Sequence, residues 1–392
     1  MKIAFVYDLI YPYSKGGVEK RIADVAKGLV ERGHEIHVFG TKQWDGPDRL
    51  VVDGIVLRGI SVNAGLYSRR GRRSIRQGLI FSLALAVHLS RERFDLIDAQ
   101  SMSPLSCLAA VMVSRLRRIP SVVTWHEVWR RYWIEYLGPI GAVGWFTEWL
   151  IARLGATQVA VSDTTAGKLE ALGVSNAPVL ANGVDLSRIN SVARRSNRSS
   201  IVYVGRLLPH KNVELLIDAA RVLSDRGLAP IIEIIGEGPH RATLERRASN
   251  LPNVRFLGSV KSDLDVVGFL KSARVFALPS VREGFGICAL EAMACGVPVV
   301  TVDHPDNSTT DFIVSGHNGL ITIPEAHLFA EALMTLVTDD TIHCALADRA
   351  LATATRFDWP LLLDAFEATY SQALEARPML SSGTTPAVAS RW

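Results

Sequence analysis

"LSRINSVARRSNRSSIVYVGRLLPHKN", Leu186 to Asn212, divides a chain of 392 residues in two. As far as Ser200 it is polar, rich in serine and arginine and without a sustained apolar period, which is the composition of a linker. At Ile201 a β-branched run begins again and leads, through Gly205 and a short turn, into a helix-length amphipathic segment. Working outward, strands are expected at Lys2 to Tyr7, Glu35 to Phe39, Leu96 to Asp98, Ser121 to Thr124 and Gln158 to Val161, with helices between them such as Val18 to Arg32, Pro104 to Leu116 and Asp163 to Leu172. Beyond the linker the alternation resumes: strands at Ile201 to Val204, Ile231 to Ile235, Val254 to Leu257, Arg274 to Leu278 and Pro298 to Val302, and helices at Val213 to Arg226, Pro239 to Ser249 and Leu264 to Lys271. Short β-branched runs alternating with amphipathic helices make parallel sheets covered on both faces. The stop and restart therefore predict an α/β protein of two doubly wound, Rossmann-like parallel sheets. Residues 1–186 form the first domain and 187–358 the second; a last helix spans 359–376, and the small, polar residues 377–392 are expected to be disordered.

Ligands of such sheets sit beyond the carboxyl ends of the strands, where loops feed helix N-termini. If the two sheets turn those ends toward each other, the site is the cleft between them. Composition is ordinary for a globular chain, with 48% hydrophobic residues and a net charge of +4. The excess is local: up to Asp185 there are 23 basic against 17 acidic residues, and after it 20 against 22. Cys107, Cys288, Cys295 and Cys344 have neither zinc nor disulfide-framework spacing, so reduced thiols are expected. Met1 runs straight into the strand-like IAFVY without the regions of a secretory leader, and the charge-free run Ala99 to Ser114 is short and broken by Pro104. A cytoplasmic protein, at most seated on a membrane surface, is the expectation.

Four loops at strand ends carry chemistry. In "DLIYPYSKGGVEK", Gly16 and Gly17 precede a helix, so that backbone N–H groups and the helix dipole face whatever lies in front; a mere tight turn explains the pair as well. In "YVGRLLPHKN", Arg206 and Lys211 flank a turn at the carboxyl edge, and a guanidinium fork with a mobile ammonium suits a diphosphate. Taken alone, they are equally well a solvated pair. "IIGEGP" offers Gly236 close to a ligand, or only a helix-capping turn, since Arg241 stands where a dinucleotide fingerprint needs its third glycine. The fourth loop, "REGFGICALEAMACGVPVV" from Arg282, carries two acids in otherwise core-like sequence. Gly284 and Gly286 delay the helix to about Ile287, leaving Glu283 on the loop. Glu291 lies one turn into the helix, where its side chain leans back toward the same ligand. Two acceptors, a row of donors and the neighbouring cations describe a site for a molecule with hydroxyls at both ends and phosphates between them, a sugar nucleotide.

"GRLLPHKN" together with the E-x7-E of "EGFGICALE", and "GGVEKRIADVAKGLVERGHEIHVF" at the start, resemble the retaining glycosyltransferases of family four, enzymes of the GT-B fold, over Met1 to Ala376. The resemblance implies that Arg206 and Lys211 bind the donor diphosphate, Glu283 orients the hydroxyls of the transferred sugar, and Glu291 holds the ribose. It implies main-chain contacts from Phe285, Gly286 and Ile287, places Gly236 and Val260 near ribose and base, and gives His126 of "TWHEVW" the C6 side of the sugar. Gly16 and Gly17 fall on the donor side. It also implies front-face substitution, and a last helix, from Phe357-Asp358-Trp359, that returns to brace the first domain. Arg206, Lys211 and the helix N-termini can do electrostatically what a divalent metal does elsewhere, so no metal is expected. Asp263-Leu264-Asp265 looks like a metal-binding DxD but sits at a helix start, where aspartates cap.

For the acceptor, Arg69, Arg70, Arg72, Arg73 and Arg76 precede an apolar helix-length run, and the cluster Arg115 to Arg118 and an aromatic-basic stretch from Trp125 lie in the same domain. Such interleaving suits anionic headgroups and a lipid-linked acceptor; solvated arginines over a buried helix, with a soluble glycan acceptor, are the alternative. No nucleic-acid motif accompanies the charge. Among rivals, a nicotinamide-dependent oxidoreductase needs a complete GxGxxG in the first loop and lacks it, and a sugar-nucleotide 2-epimerase shares the architecture.

Overall fold

A computed structural model describes residues 1–63, 65, 74–154, 156–196, 199–260 and 262–376. The first sheet holds seven strands, β1 (Lys2–Val6), β2 (Glu35–Thr41), β3 (Arg49–Val52), β4 (Ile55–Ser61), β5 (Leu96–Gln100), β6 (Ser121–Trp125) and β7 (Thr157–Ala160), in the order β3-β4-β2-β1-β5-β6-β7. Every neighbouring pair is parallel except β3 and β4. The second sheet holds β8 (Ser199–Val204), β9 (Ile232–Ile235), β10 (Val254–Gly258), β11 (Ala273–Leu278), β12 (Val299–Val302) and β13 (Gly319–Thr322), all parallel, in the order β10-β9-β8-β11-β12-β13. Two doubly wound α/β sheets are thus present.

Strand order places the site. In the first sheet the winding reverses between β1 and β5, and in the second between β8 and β11, the points at which loops of such sheets diverge and open a crevice. The loops leaving β1, β8 and β11 are the glycine pair, "GRLLPHKN" and the loop of Glu283. The inner strands β1, β5, β6, β9 and β12 are buried on both faces, as a sheet covered on each side requires, while β3, β10 and β13 at the edges are more exposed.

Three elements depart from expectation. The β3–β4 hairpin was not anticipated, although Asp53-Gly54 carries its signature: both have positive φ, 50° and 79°, the backbone of a two-residue hairpin turn. β13 was also missed. The linker is shorter than its composition implies, because Leu186–Ser191 is a helix capped by Asp185, whose side chain accepts from the Arg188 N–H at 2.8 Å. Asp185 lay just outside the polar stretch that suggested a linker, and capping is a property of geometry rather than composition.

The last helix, Trp359–Glu375, joins the core of the first domain. Trp359, Leu363, Phe366, Tyr370 and Ala373 recur at helical spacing and are buried with Ile3, Phe5 and Leu29. Gly28 makes the approach possible, since a Cβ there would lie 2.3 Å from Leu363 Cδ1. The outgoing and returning crossings run side by side: Val184 N–H donates to Phe357 O (2.9 Å) and Trp359 N–H to Val184 O (3.1 Å). Residues 377–392 lie outside the described residues.

Candidate active site

The carboxyl edges of the two sheets meet. A Cβ on Gly284 would fall 2.1 Å from the carbonyl oxygen of His126, and one on Gly17 would fall 3.4 Å from Ile287 Cδ1. Glycine at 284 lets the loop backbone of the second domain touch the end of β6 in the first. Side chains tie the same edges: Thr164 donates to Asp311 through N (2.8 Å) and Oγ1 (2.6 Å), Lys168 pairs with Asp306 at 2.6 Å, and the Tyr11 hydroxyl donates to Asp263 at 2.8 Å.

Glu283 stands where the sequence put it, on the loop after β11. Its amide donates to Asp306 O and its carbonyl accepts from Ser308 N–H, so the segment around Asn307 pins it on both sides. Asn307, fully buried, donates to Thr301 Oγ1 and Val302 O and accepts from Thr309. The Glu283 carboxylate accepts from Lys211 Nζ at 2.7 Å, with both side chains largely buried. Lys211 closes a single turn, Pro209–Lys211, after β8; Arg206 is exposed at the same edge.

Glu291 sits in the helix Ile287–Ala294 behind Gly286, whose φ of +87° and contact with Thr309 leave no place for a side chain. Its carboxylate bonds Lys20, from the helix Gly17–Glu31 across the cleft. Burial disfavours the Lys20 ammonium, but the Glu291 and Asp24 carboxylates outweigh it and hold the group above the ordinary lysine range. The Cys288 thiol lies among Glu291, Lys20, Glu283 and Lys211 and feels all four; burial and the carboxylates push it up to about 12. Both acid–base pairs therefore converge on one place.

The remaining expected residues divide. Phe285 turns its ring inward, stacked on Phe312 with centroids 5.2 Å apart, so only its main chain can meet a ligand, together with those of Gly286 and Ile287. Gly236 has φ +140°, and a Cβ there would lie 1.9 Å from Gly205 O; its amide already donates to Gly258 O at 2.8 Å. It locks the ends of β8, β9 and β10 together, and Val260, next in line, packs against the second core. Gly16 and Gly17 open the helix Gly17–Glu31, yet the space before Gly16 already holds an anion of the chain's own, because the Glu19 carboxylate lies 2.5 Å from where a Gly16 Cβ would be and accepts from Ser14 Oγ at 3.0 Å. A phosphate brought to that helix end would have to share it with Glu19. His126 is buried at the end of β6, with Nε2 2.7 Å from Gln100 Oε1. Asp263 follows the cap residue Ser262, and Asp265 completes a capping box, as expected of helix-start aspartates.

Sequence reasoning missed Lys20, Glu127, Arg282, Asp306 and Asn307. Arg282 pairs with Asp306 (2.6 Å), approaches Glu127 (3.9 Å) and stands over the Tyr132 ring (4.0 Å). Burial raises the Glu127 carboxyl above the ordinary range, against the pull of Lys211 and Arg282. "HPDNSTTD", polar and directly after β12, was the one visible signal for the Asn307 segment. Of the five acceptor-side arginines, Arg76 is exposed on the helix Ile75–Arg91, while Arg69, Arg70, Arg72 and Arg73 lie outside the described residues.

Comparison with known proteins covers both facing sheets. The family model described as Glycosyltransferase Family 4 matches residues 15–188, and that described as Glycosyl transferases group 1 matches residues 187–353. A GDP-mannose-dependent alpha-(1-6)-phosphatidylinositol dimannoside mannosyltransferase of Mycobacterium tuberculosis is 31% identical over 237 residues, 57% of this chain and 61% of that protein. A phosphatidyl-myo-inositol mannosyltransferase of Mycolicibacterium smegmatis is 27% identical over 90% of each chain. Among solved structures, sucrose-phosphate synthase of Thermosynechococcus elongatus superposes with a TM-score of 0.79 at 18% identity, covering 96% of this chain and 99% of that one. Anabaena HepE in complex with UDP and glucose follows at 0.73 and 21%, covering 95% and 100%. With the two family models meeting at the linker and spanning both facing sheets, the chain belongs to the family 4 glycosyltransferases of the GT-B fold.

Proposed function

We propose that the chain is a retaining, metal-independent hexosyltransferase that moves a sugar from a UDP- or GDP-sugar to a hydroxyl of a lipid-linked acceptor, or of a glycan, at a membrane surface. The observation that carries this reading is the convergence of Lys211–Glu283 and Lys20–Glu291 around Cys288 at the facing switch points. Arg206 and Lys211 neutralise the diphosphate that develops charge as it leaves, each charge-assisted bond contributing about 1.5 to 3 kcal/mol. They take the electrostatic part that a divalent cation plays elsewhere. In the transfer, the bond from the anomeric carbon to the diphosphate oxygen breaks and the bond to the acceptor oxygen forms on the same face. The acceptor proton passes to the departing phosphate oxygen. Glu283, held by Lys211 and by the Asn307 segment, orients sugar hydroxyls and is not assigned as a nucleophile. The ordering of both partners in a closed cleft supplies the larger share of the rate.

The acceptor reading is supported by an apolar face left exposed among the described residues. Ile75, Leu79, Leu83 and Val87, four residues apart on one helix, are 46 to 71% exposed, and Leu116 and Phe146 on neighbouring helices are exposed too. Arg76, Arg91, Arg115 and Arg117 lie on the same helices. Apolar area with arginines suits an anionic bilayer, and no helix among the described residues is long and apolar enough to cross one. The names of the relatives point first to GDP-mannose and a phosphatidylinositol-type acceptor. Incubation with a panel of UDP-, GDP- and ADP-sugars, with and without chelator and anionic liposomes, tests the reading. Product of retained anomeric configuration, unaffected by chelator, is expected; return of a 2-epimer in place of transfer favours the epimerase, and loss of transfer with chelator removes the metal-free mechanism. Absence of liposome binding at low salt removes the membrane surface.

A further inference from the structure

A buried chain of hydrogen bonds links the last helix of the molecule to the cleft. The Tyr370 hydroxyl donates to Asp98 Oδ2 at 2.6 Å; Asp98 Oδ1 accepts from Gln100 Nε2 (2.7 Å) and Thr124 Oγ1 (2.9 Å); Gln100 Oε1 stands 2.7 Å from His126 Nε2. Asp98, Gln100, Thr124 and Tyr370 are at most 2% exposed, so water does not compete for these bonds. Burial raises the Asp98 carboxyl, against the pull of the Tyr370 and Thr124 hydroxyls, the Arg21 guanidinium and Gln100. Ionised, Asp98 only accepts, so Gln100 presents its NH2 group to Asp98 and its oxygen to His126; an amide oxygen only accepts, so the proton of His126 sits on Nε2. Burial, and secondarily the Arg21 guanidinium, hold the imidazolium well below the ordinary histidine range, and the ring is neutral. Its other nitrogen, Nδ1, has no hydrogen-bond partner among the described residues. The residue stands at the end of β6, where its backbone carbonyl meets Gly284 of the second domain.

We infer that Tyr370 is a positioning residue for the transfer site: through Asp98 and Gln100 it holds His126 as an Nε2-protonated ring whose Nδ1 lone pair accepts from a hydroxyl of the donor sugar. This rests on the proposed placing of the donor beside Glu283. It adds a specificity, since a lone pair welcomes a hydroxyl and repels a carboxylate: neutral hexoses are taken and uronic acid donors refused. It also makes the C-terminal helix part of the site's machinery as well as of the core.

Nitrogen NMR of the histidine-labelled full chain reads the tautomer. The wild type is expected to show a protonated Nε2 and a bare Nδ1, and Tyr370→Phe, which keeps the ring packing, a mixture of tautomers. Turnover in that variant should fall about tenfold with little change in donor KM, the mark of a lost orientation rather than lost binding. If Tyr370→Phe does not fold, Gln100→Leu probes the same link from the other side. A wild-type ring protonated at Nδ1, or a Tyr370→Phe enzyme with unchanged tautomer and turnover while His126→Ala is inactive, overturns the inference. Should His126→Ala turn over like the wild type while Lys211→Ala loses nucleoside diphosphate, the inference falls and the donor site stands; should both behave like the wild type, the proposed site falls with it.

Discussion

Glu283 and Lys211 satisfy each other, and the consequence differs for binding and for chemistry. On the proposed reading, a nucleotide sugar entering the cleft would draw Lys211 toward phosphate and leave Glu283 for the sugar. Glu283→Ala is therefore expected to lower turnover by a factor of about 100 to 1000, the range for removing one preorganised transition-state contact, while a donor-induced thermal shift survives. Transfer at the wild-type rate would take Glu283 out of the site. The sequence made this residue legible because two glycines and an E-x7-E spacing are local facts. Lys20 was not legible: its partner is 271 positions away, and nothing in "GVEKRI" says which side of the helix meets the other domain. His126 was visible as a strand-end histidine, but its tautomer depends on Asp98, Gln100 and Tyr370, a contact no local pattern contains.

Between elements, the helix Gly17–Glu31 faces the helix Ile287–Ala294, and Asp24 lies beside Lys20 at that contact. Burial raises the Asp24 carboxyl from 3.8 to about 6, with Glu291 adding to the effect and Lys20 opposing it. A carboxyl whose folded pKa is raised is penalised when ionised: stability is fullest below about pH 4 and declines as pH rises through 6. Asp24→Asn should thus stabilise the protein at pH 8 by about 1 to 2 kcal/mol, at one pKa unit per 1.36 kcal/mol and with some loss for Lys20, and the gain should vanish at pH 4. Thermal unfolding of both forms across that range checks it; a gain independent of pH would contradict it. Strand and helix periodicity gave these elements with bounds close to those observed, because a parallel sheet covered on both faces writes its burial into the sequence as β-branched runs. The edge strands β3 and β13 were lost because their side chains are mostly exposed or half-buried and leave no core-like run, and β4 because Arg58 and Gly59 interrupt its apolar stretch.

At the scale of the molecule, the chain crosses between domains twice, and its last described helix packs into the core of the first. Deleting residues 359–376 removes Trp359, Leu363, Phe366 and Tyr370 from that core, about 1.5 to 3 kcal/mol each, which together rivals the whole net stability of a domain, about 5 to 15 kcal/mol. The truncated chain is expected to lose its first domain to limited proteolysis while the second survives as a fragment; a full-length melting temperature would contradict the assignment. Two sheets in tandem could be read from one linker, but the direction in which they face could not, since Gly284 against His126 and Lys168 against Asp306 join residues with no common pattern. The central claim is that Arg206, Lys211, Glu283 and Glu291 hold one activated sugar in that cleft. Calorimetric titration of UDP, GDP and ADP into the wild type and into Arg206→Ala, Lys211→Ala, Glu291→Ala and Glu283→Ala tests it most directly. One nucleotide per chain, at least about tenfold weaker binding in the first three variants and near-normal binding in the fourth is the predicted result; equal affinity in all five proteins would contradict it.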